Sequence, residues 1–220
     1  MIKIKNLFFI DFDDTLFNTK KFKKEFLKIF KQNKVSKKQF DECYYSKDKN
    51  GDLKYDIEKQ IFTLQNKYGV DGKKIKKEVK IFLTKTEEFL FPDTIDFLDN
   101  LQGKDNYLVL LSYGAPVFQK KKIVSSGIVS FFQEIIISDK EKLKFIKKHP
   151  KSKTAERIFF LEDHPEQLEK CLQDISKSNN NILQKIEIIR IKRREGCYSN
   201  EKFSFQCLTV SSLREVLIKI

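Results

Sequence analysis

Five short apolar runs punctuate the chain, at residues 7–10, 107–111, 134–137, 158–161 and 186–191. Runs of this kind, with little polar alternation, suit strands buried on both faces, as the central strands of a parallel sheet are. Helical spacing of apolar residues fills most of the intervals between the later runs. Strands alternating with helices predict an α/β fold built on a doubly wound parallel sheet. Ligands of such sheets bind beyond the carboxyl ends of the strands, so the polar residues that follow each run carry the functional information.

Between residues 17 and 89 the pattern is helical throughout. Phe22, Phe26, Ile29 and Phe30 recur at helical spacing in a lysine-rich stretch, and Ser36 with Gln39 forms a capping-box signature. Ile57, Ile61, Leu64 and Tyr68 mark a third helix. Asp71 caps a fourth, which contains Ile75, Val79, Phe82 and Leu83. The expectation is an α/β core made of residues 1–17 and 90–220, with residues 18–89 inserted as an all-helical domain. Phe91-Pro92-Asp93 restarts the α/β pattern, with Ile95, Leu98 and Leu101 on one helix face and Gly103 near the helix end. Residues 177–181 and 193–201 read as polar loops, and no internal repeat is present.

Composition narrows the classes. Hydrophobic residues make up 40% of the 220, with 21 Phe, so a large core can be buried and a disordered chain is excluded. No apolar run approaches the roughly 18 residues of a membrane-spanning helix. The opening run leads into three acidic residues rather than a small-residue cleavage site, and so reads as a first strand. Cys43, Cys171, Cys197 and Cys207 form no CxxC pair, which argues against zinc or a disulfide framework; reduced thiols in a cytoplasmic protein are expected. The two histidines, His149 and His164, offer little material for a Ser-His-Asp site. His149 is expected in a surface loop and His164 at the rim of a site.

The formal charge of +13 suggests an anionic partner, but only five of the 44 basic residues are Arg. The lysines are interleaved with Asp and Glu along the whole chain. Nucleic-acid surfaces favour the arginine fork, so a solvated lysine surface is the better reading and a nucleic-acid partner is not expected. Oligomeric state has no local signature.

The sharpest local signal is Asp11-Phe12-Asp13-Asp14-Thr15-Leu16, directly after the first strand. Three carboxylates within four residues repel one another unless a cation or protons intervene. Mg²⁺, a hard cation that prefers carboxylate oxygen, relieves that repulsion. The plainer alternative is that an acidic residue such as Asp14 only caps the following helix.

An apolar strand followed by DxDx(T/V) resembles the first motif of the haloacid-dehalogenase superfamily. The resemblance implies that Asp11 attacks phosphorus and becomes an aspartyl-phosphate. It also implies that Asp13 acts as general acid and then base, with its backbone carbonyl on the metal. Further positions occur in the family's order. Ser112, closing the run at 107–111 and followed by Tyr113 and Gly114, matches the phosphate-binding second motif. A lysine after the run at 134–137 matches the third, and Lys140 and Lys142 are both candidates. Lys142 is preferred because Phe145 and Ile146, three and four residues later, suit a helix packed on the sheet. Glu162-Asp163 matches the acidic fourth motif. Asp163 then completes a magnesium site with Asp11 and Asp13, and Glu162 acts further from the ion or through water.

The same resemblance implies that the inserted helices are a C1-type cap closing over the site. It points to a magnesium-dependent phosphatase acting on a small phosphorylated metabolite. Dehalogenases usually lack the acid at the position of Asp13. The alternatives are mutase-like phosphoryl transfer and a non-catalytic module binding anions or nucleic acid.

Overall fold

In the computed structural model, which describes residues 4–47, 53–103, 105–138 and 141–220, every apolar run forms a strand. In chain order the first elements are β1 (Asn6–Ile10), α1 (Thr19–Gln32), α2 (Lys37–Glu42), β2 (Tyr45–Lys47), β3 (Leu53–Tyr55), α3 (Ile57–Tyr68) and α4 (Gly72–Phe82). Then come α5 (Thr94–Leu101), β4 (Asn106–Tyr113), α6 (Pro116–Ser125), β5 (Glu134–Ser138), α7 (Lys142–Lys148), α8 (Pro150–Thr154) and β6 (Arg157–Glu162). The chain closes with α9 (Pro165–Ser176), α10 (Asn181–Gln184), β7 (Ile186–Ile191), β8 (Leu208–Val210) and α11 (Leu213–Lys219). Two compact units result.

The first unit comprises Met1–Lys20, Leu90–Tyr113 and Ile128–Ile220. Its six strands pair in the order β5-β4-β1-β6-β7-β8, all parallel. The chain winds outward from β1 to β5, then crosses back to β6 and winds the other way. The strand order therefore reverses between β1 and β6, where open α/β sheets form their ligand crevice. Register brings the strand ends level there, with Ile10 opposite both Leu110 and Leu161.

Both faces of the central strands are buried, which is why their sequences do not alternate with polar residues. Leu7, Phe9, Val109, Leu111, Ile158 and Phe160 share one core with Leu143 and Ile146 of α7 and Leu168 and Cys171 of α9. The alternate residues Phe8, Ile10, Leu108, Leu110, Phe159 and Leu161 are also buried, and Phe8 stacks on Phe159 at 4.7 Å. Each such side chain contributes about 1.5–3 kcal/mol on burial. On α5 the buried stripe is Thr94, Phe97, Leu98 and Leu101, a strict helical spacing, so Ile95 is left exposed rather than on the packed face as expected.

The second unit comprises Lys21–Phe89 and Gly114–Gly127. Two features differ from the sequence expectation. The insertion is not all-helical, because β2 and β3 pair antiparallel. The sequence between them contains Asn50-Gly51, a hairpin signal that the helical pattern around it masks. In addition α6, expected in the α/β core, groups with the inserted helices: Thr86 donates to the Lys122 carbonyl, and the Phe118 ring lies 5.8 Å from Phe26. The expected caps form. Ser36 and Gln39 make the reciprocal capping box, and the Asp71 side chain accepts from Lys74 N. A phenylalanine cluster fills the interior, with Phe30 against Phe26 and Phe40 at 5.2 and 4.8 Å.

Among the described residues no helix is long and apolar enough to cross a membrane, and all four cysteines are free thiols.

Candidate functional site

Asp11 is the first residue beyond β1, at the point where the strand order reverses. Its backbone N–H continues the ladder by donating to the Leu161 carbonyl at 3.0 Å, so the strand itself aims the side chain. The carboxylate is only 3% exposed and accepts a hydrogen bond from the Lys142 ammonium. Lys142, the first residue of α7, is equally buried and also donates to Glu162 Oε2 at 2.6 Å. It thus bridges the ends of β1 and β6. The competing lysine, Lys140, lies outside the described residues. On α7 the fully buried residues after Lys142 are Leu143 and Ile146, with Phe145 only partly buried.

Glu162 and Asp163 follow one another at the end of β6. Both oxygens of Glu162 are committed, because Oε2 takes the Lys142 bond while Oε1 accepts from the backbone N–H groups of Asp163 (3.1 Å) and His164 (3.0 Å). The residue therefore orients the lysine and the turn that carries Asp163. Asp163 is buried, and its Oδ2 has no hydrogen-bond partner among the described residues. Oxygen atoms of Asp11, Glu162 and Asp163 all lie within 4.8 Å of one another.

The electrostatics of this arrangement are strained without a cation. Burial, reinforced by Glu162 and opposed by Lys142, pushes the Asp11 carboxyl up to about 8. Burial, then Glu162, Asp11 and Asp14, raise the Asp163 carboxyl well above its ordinary range. Burial works against the Lys142 charge, but Asp11 and Glu162 outweigh it and hold the ammonium above its usual range. Among the described residues, three buried carboxyl groups gather where one ammonium, that of Lys142, bonds two of them. A hard divalent cation fits this donor set, since it would meet the unpartnered Asp163 oxygen and offset the excess negative charge. Both Glu162 oxygens already accept hydrogen bonds, which leaves Asp11 and Asp163 the better placed side chains to hold it.

Asp13 stands in the turn after Asp11, half-buried, close enough for its charge to raise Asp11 further. Its carboxylate is not in the metal-competent cluster; Oδ1 accepts from the Thr19 hydroxyl at 2.5 Å. Asp14 takes a left-handed conformation (φ 54°), and its Oδ2 accepts from Cys197 N at 3.2 Å. It braces the turn against the 193–201 loop rather than capping a helix.

Ser112 is buried near the end of β4, two residues past the Leu110–Ile10 pairing, on the strand adjoining Asp11. Tyr113, at the same end, is 53% exposed, and Gly114 (φ 147°) opens the segment grouped with the helical unit. His164 precedes α9 with its ring 4.3 Å from that of Tyr198. His149 is not in a surface loop: it is buried, edge-on to Phe9, caps α8 through Nδ1 and meets Glu134 Oε2 at 2.9 Å. Its aromatic ring fills core space that the surrounding run of lysines conceals in the sequence.

Two residues with no motif around them help build the site. Thr19 orients Asp13. Arg193, in what reads as a polar loop, donates to the Thr15 carbonyl through Nε (3.2 Å) and Nη2 (2.9 Å). The one signal for Arg193 in the sequence is the rarity of arginine in a lysine-dominated chain.

A family model for haloacid dehalogenase-like hydrolases matches residues 5–183. No curated protein matches the chain. Solved structures with a similar fold include the magnesium-bound HAD-hydrolase candidate YfnB of Bacillus subtilis, with 15% identity, 99% of this chain and 98% of that one covered, and a TM-score of 0.56. A predicted phosphatase of Clostridium acetobutylicum is 14% identical over 98% of this chain and 97% of its own, with a TM-score of 0.53. The L-2-haloacid dehalogenase of Xanthobacter autotrophicus is 14% identical over 98% of both chains, with a TM-score of 0.52.

Proposed function

The chain belongs to the haloacid dehalogenase-like hydrolases, and we propose that it is a magnesium-dependent phosphatase that hydrolyses a small phosphorylated metabolite through a phosphorylated Asp11. The observation that carries this reading is the pairing of two carboxyl groups with different environments. Asp11 is gripped by Lys142, while Asp13, two residues on, is outside the metal-competent cluster and held by a neutral hydroxyl. A nucleophile needs the first environment and a proton carrier the second. Expulsion of halide from carbon needs no such proton carrier.

In this reading an Asp11 oxygen attacks phosphorus while the P–O bond to the leaving group breaks, and Asp13 gives that oxygen its proton. Asp13 then accepts a proton from the water that attacks the phosphorylated Asp11, releasing inorganic phosphate and restoring both carboxyl groups. Lys142 offsets charge on the phosphoryl oxygens, with Ser112 and the Tyr113 and Gly114 backbone assigned to bind them. Magnesium, held by Asp11, Asp163 and the Asp13 carbonyl, would supply further positive charge against the phosphoryl group.

The test is phosphate release from a panel of phosphorylated metabolites with Mg²⁺, with excess EDTA, and beside a 2-haloacid. Magnesium-dependent phosphate release without halide release is expected. Halide release from the haloacid with no phosphate from any ester would replace this reading with dehalogenation.

A further inference from the structure

The turn after β1 presents two carbonyl groups to the rest of the α/β unit, and both are taken. Leu16 O accepts from Phe91 N at 2.9 Å and from the Thr94 hydroxyl at 2.8 Å. Thr15 O accepts both Arg193 bonds across 178 residues of sequence. Arg193 is itself fixed on every side. Its Nη1 and Nη2 each meet an Asp93 oxygen at 2.8 Å, and its Cζ lies 4.2 Å from the Phe91 ring centroid. Asp93 also accepts from Leu213 N at 2.8 Å. Burial alone would raise the Asp93 carboxyl, but Arg193 and the Leu213 N–H hold it below its usual range. A lysine cannot reproduce this, because one ammonium offers no planar fork to serve a carboxylate and a carbonyl together.

We propose that Arg193 is a positioning residue for Asp13, holding the turn from which the acid/base carboxyl projects. The inference rests on the phosphatase reading above. Asp11 does not depend on this contact, since β6 and Lys142 hold it. Asp13 is carried by the turn itself and oriented by the Thr19 hydroxyl. Loosening Arg193 should therefore impair proton transfer and spare the nucleophile.

The test compares wild type, Arg193→Lys and Asp93→Asn with Mg²⁺ on p-nitrophenyl phosphate and on an alkyl phosphate, each well below its own melting temperature. The p-nitrophenolate leaves without protonation, so its first turnover reports attack by Asp11, and the steady state reports water activation by Asp13. For Arg193→Lys the first-turnover rate on the aryl ester should stay within about threefold of wild type, followed by slow steady turnover, a burst that separates the two steps. Turnover of the alkyl ester should fall by about 10²-fold, the scale of a misplaced catalytic group. Asp93→Asn should shift in the same direction by less, and it decides the matter if the lysine variant does not fold. Equal losses in burst and steady state, on both esters, would show a merely structural role and overturn the inference alone. A wild type that releases phosphate from neither ester removes the phosphatase reading and this inference with it.

Discussion

Asp11 is fixed from two directions, by the backbone bond to Leu161 and by the ammonium of Lys142, and its function should be lost without its fold. Asp11→Asn keeps the shape of the side chain but removes its nucleophilicity. Phosphate release should fall by at least about 10³-fold while the circular dichroism spectrum is retained, because the proposed nucleophile has no substitute. Lys142→Ala should cost about 10²-fold or more, and far more than Lys140→Ala, since it removes the charge that the proposed mechanism sets against the phosphoryl group. A larger loss from Lys140→Ala than from Lys142→Ala would reverse the choice between them. At this scale the crowding of Asp11, Asp13 and Asp14 after a buried strand was visible in the sequence, because such carboxylates repel one another unless a cation or protons intervene, while Asp163 was singled out only through the family resemblance. Arg193 was not visible, because a hydrogen bond to a carbonyl 178 residues away leaves no local pattern, and Thr19 was not, because its bond to the Asp13 carboxylate belongs to no motif read in the sequence. His149 misled because its neighbours are lysines while its own ring is buried.

Among the elements, the central strands were readable because burial on both faces writes an unbroken apolar run. Edge strand β8 carries no such run and drew no strand expectation. The β2–β3 hairpin was hidden by helical spacing on either side of it, and α6 could not be assigned to a unit from its own residues. The second failure has a physical cause, since which surface an element packs on is decided by partners distant in sequence. The helical unit depends on its phenylalanine cluster. Phe30→Ala, at a fully buried position between Phe26 and Phe40, should cost about 3–5 kcal/mol. Hydrogen exchange checks this, with protection expected to fall in α1 to α4 while β1 and β4 keep theirs. A loss shared equally by both units would show that they unfold as one.

For the whole molecule, the crowded carboxyl groups tie stability to pH and, through the proposed cation site, to magnesium. Asp11 ionises near 3.8 when unfolded but at about 8 when folded, chiefly through burial. Across that window the folded state keeps a proton that the unfolded state releases, so stability without a divalent cation should fall as pH rises, then level off above the folded value. Magnesium favours the ionised carboxyl groups, so added MgCl₂ should raise the melting temperature more at about pH 8 than at about pH 5. A gain that is larger at the lower pH would contradict the cation site at Asp11 and Asp163.

Passage of phosphate through Asp11 is the step on which the proposed chemistry stands, and covalent trapping reads it out. Asp13→Asn should still accept a phosphoryl group from p-nitrophenyl phosphate but release it slowly, because the water that attacks lacks its base. The variant is mixed with Mg²⁺ and the aryl ester, quenched in acid, and mapped by peptide mass spectrometry. One added phosphoryl group is expected on the peptide containing Asp11, absent when Asp11 is also changed to Asn. Efficient turnover by wild type with no phosphoryl group on that peptide, or with the group on another residue, would contradict the assignment of Asp11 as nucleophile.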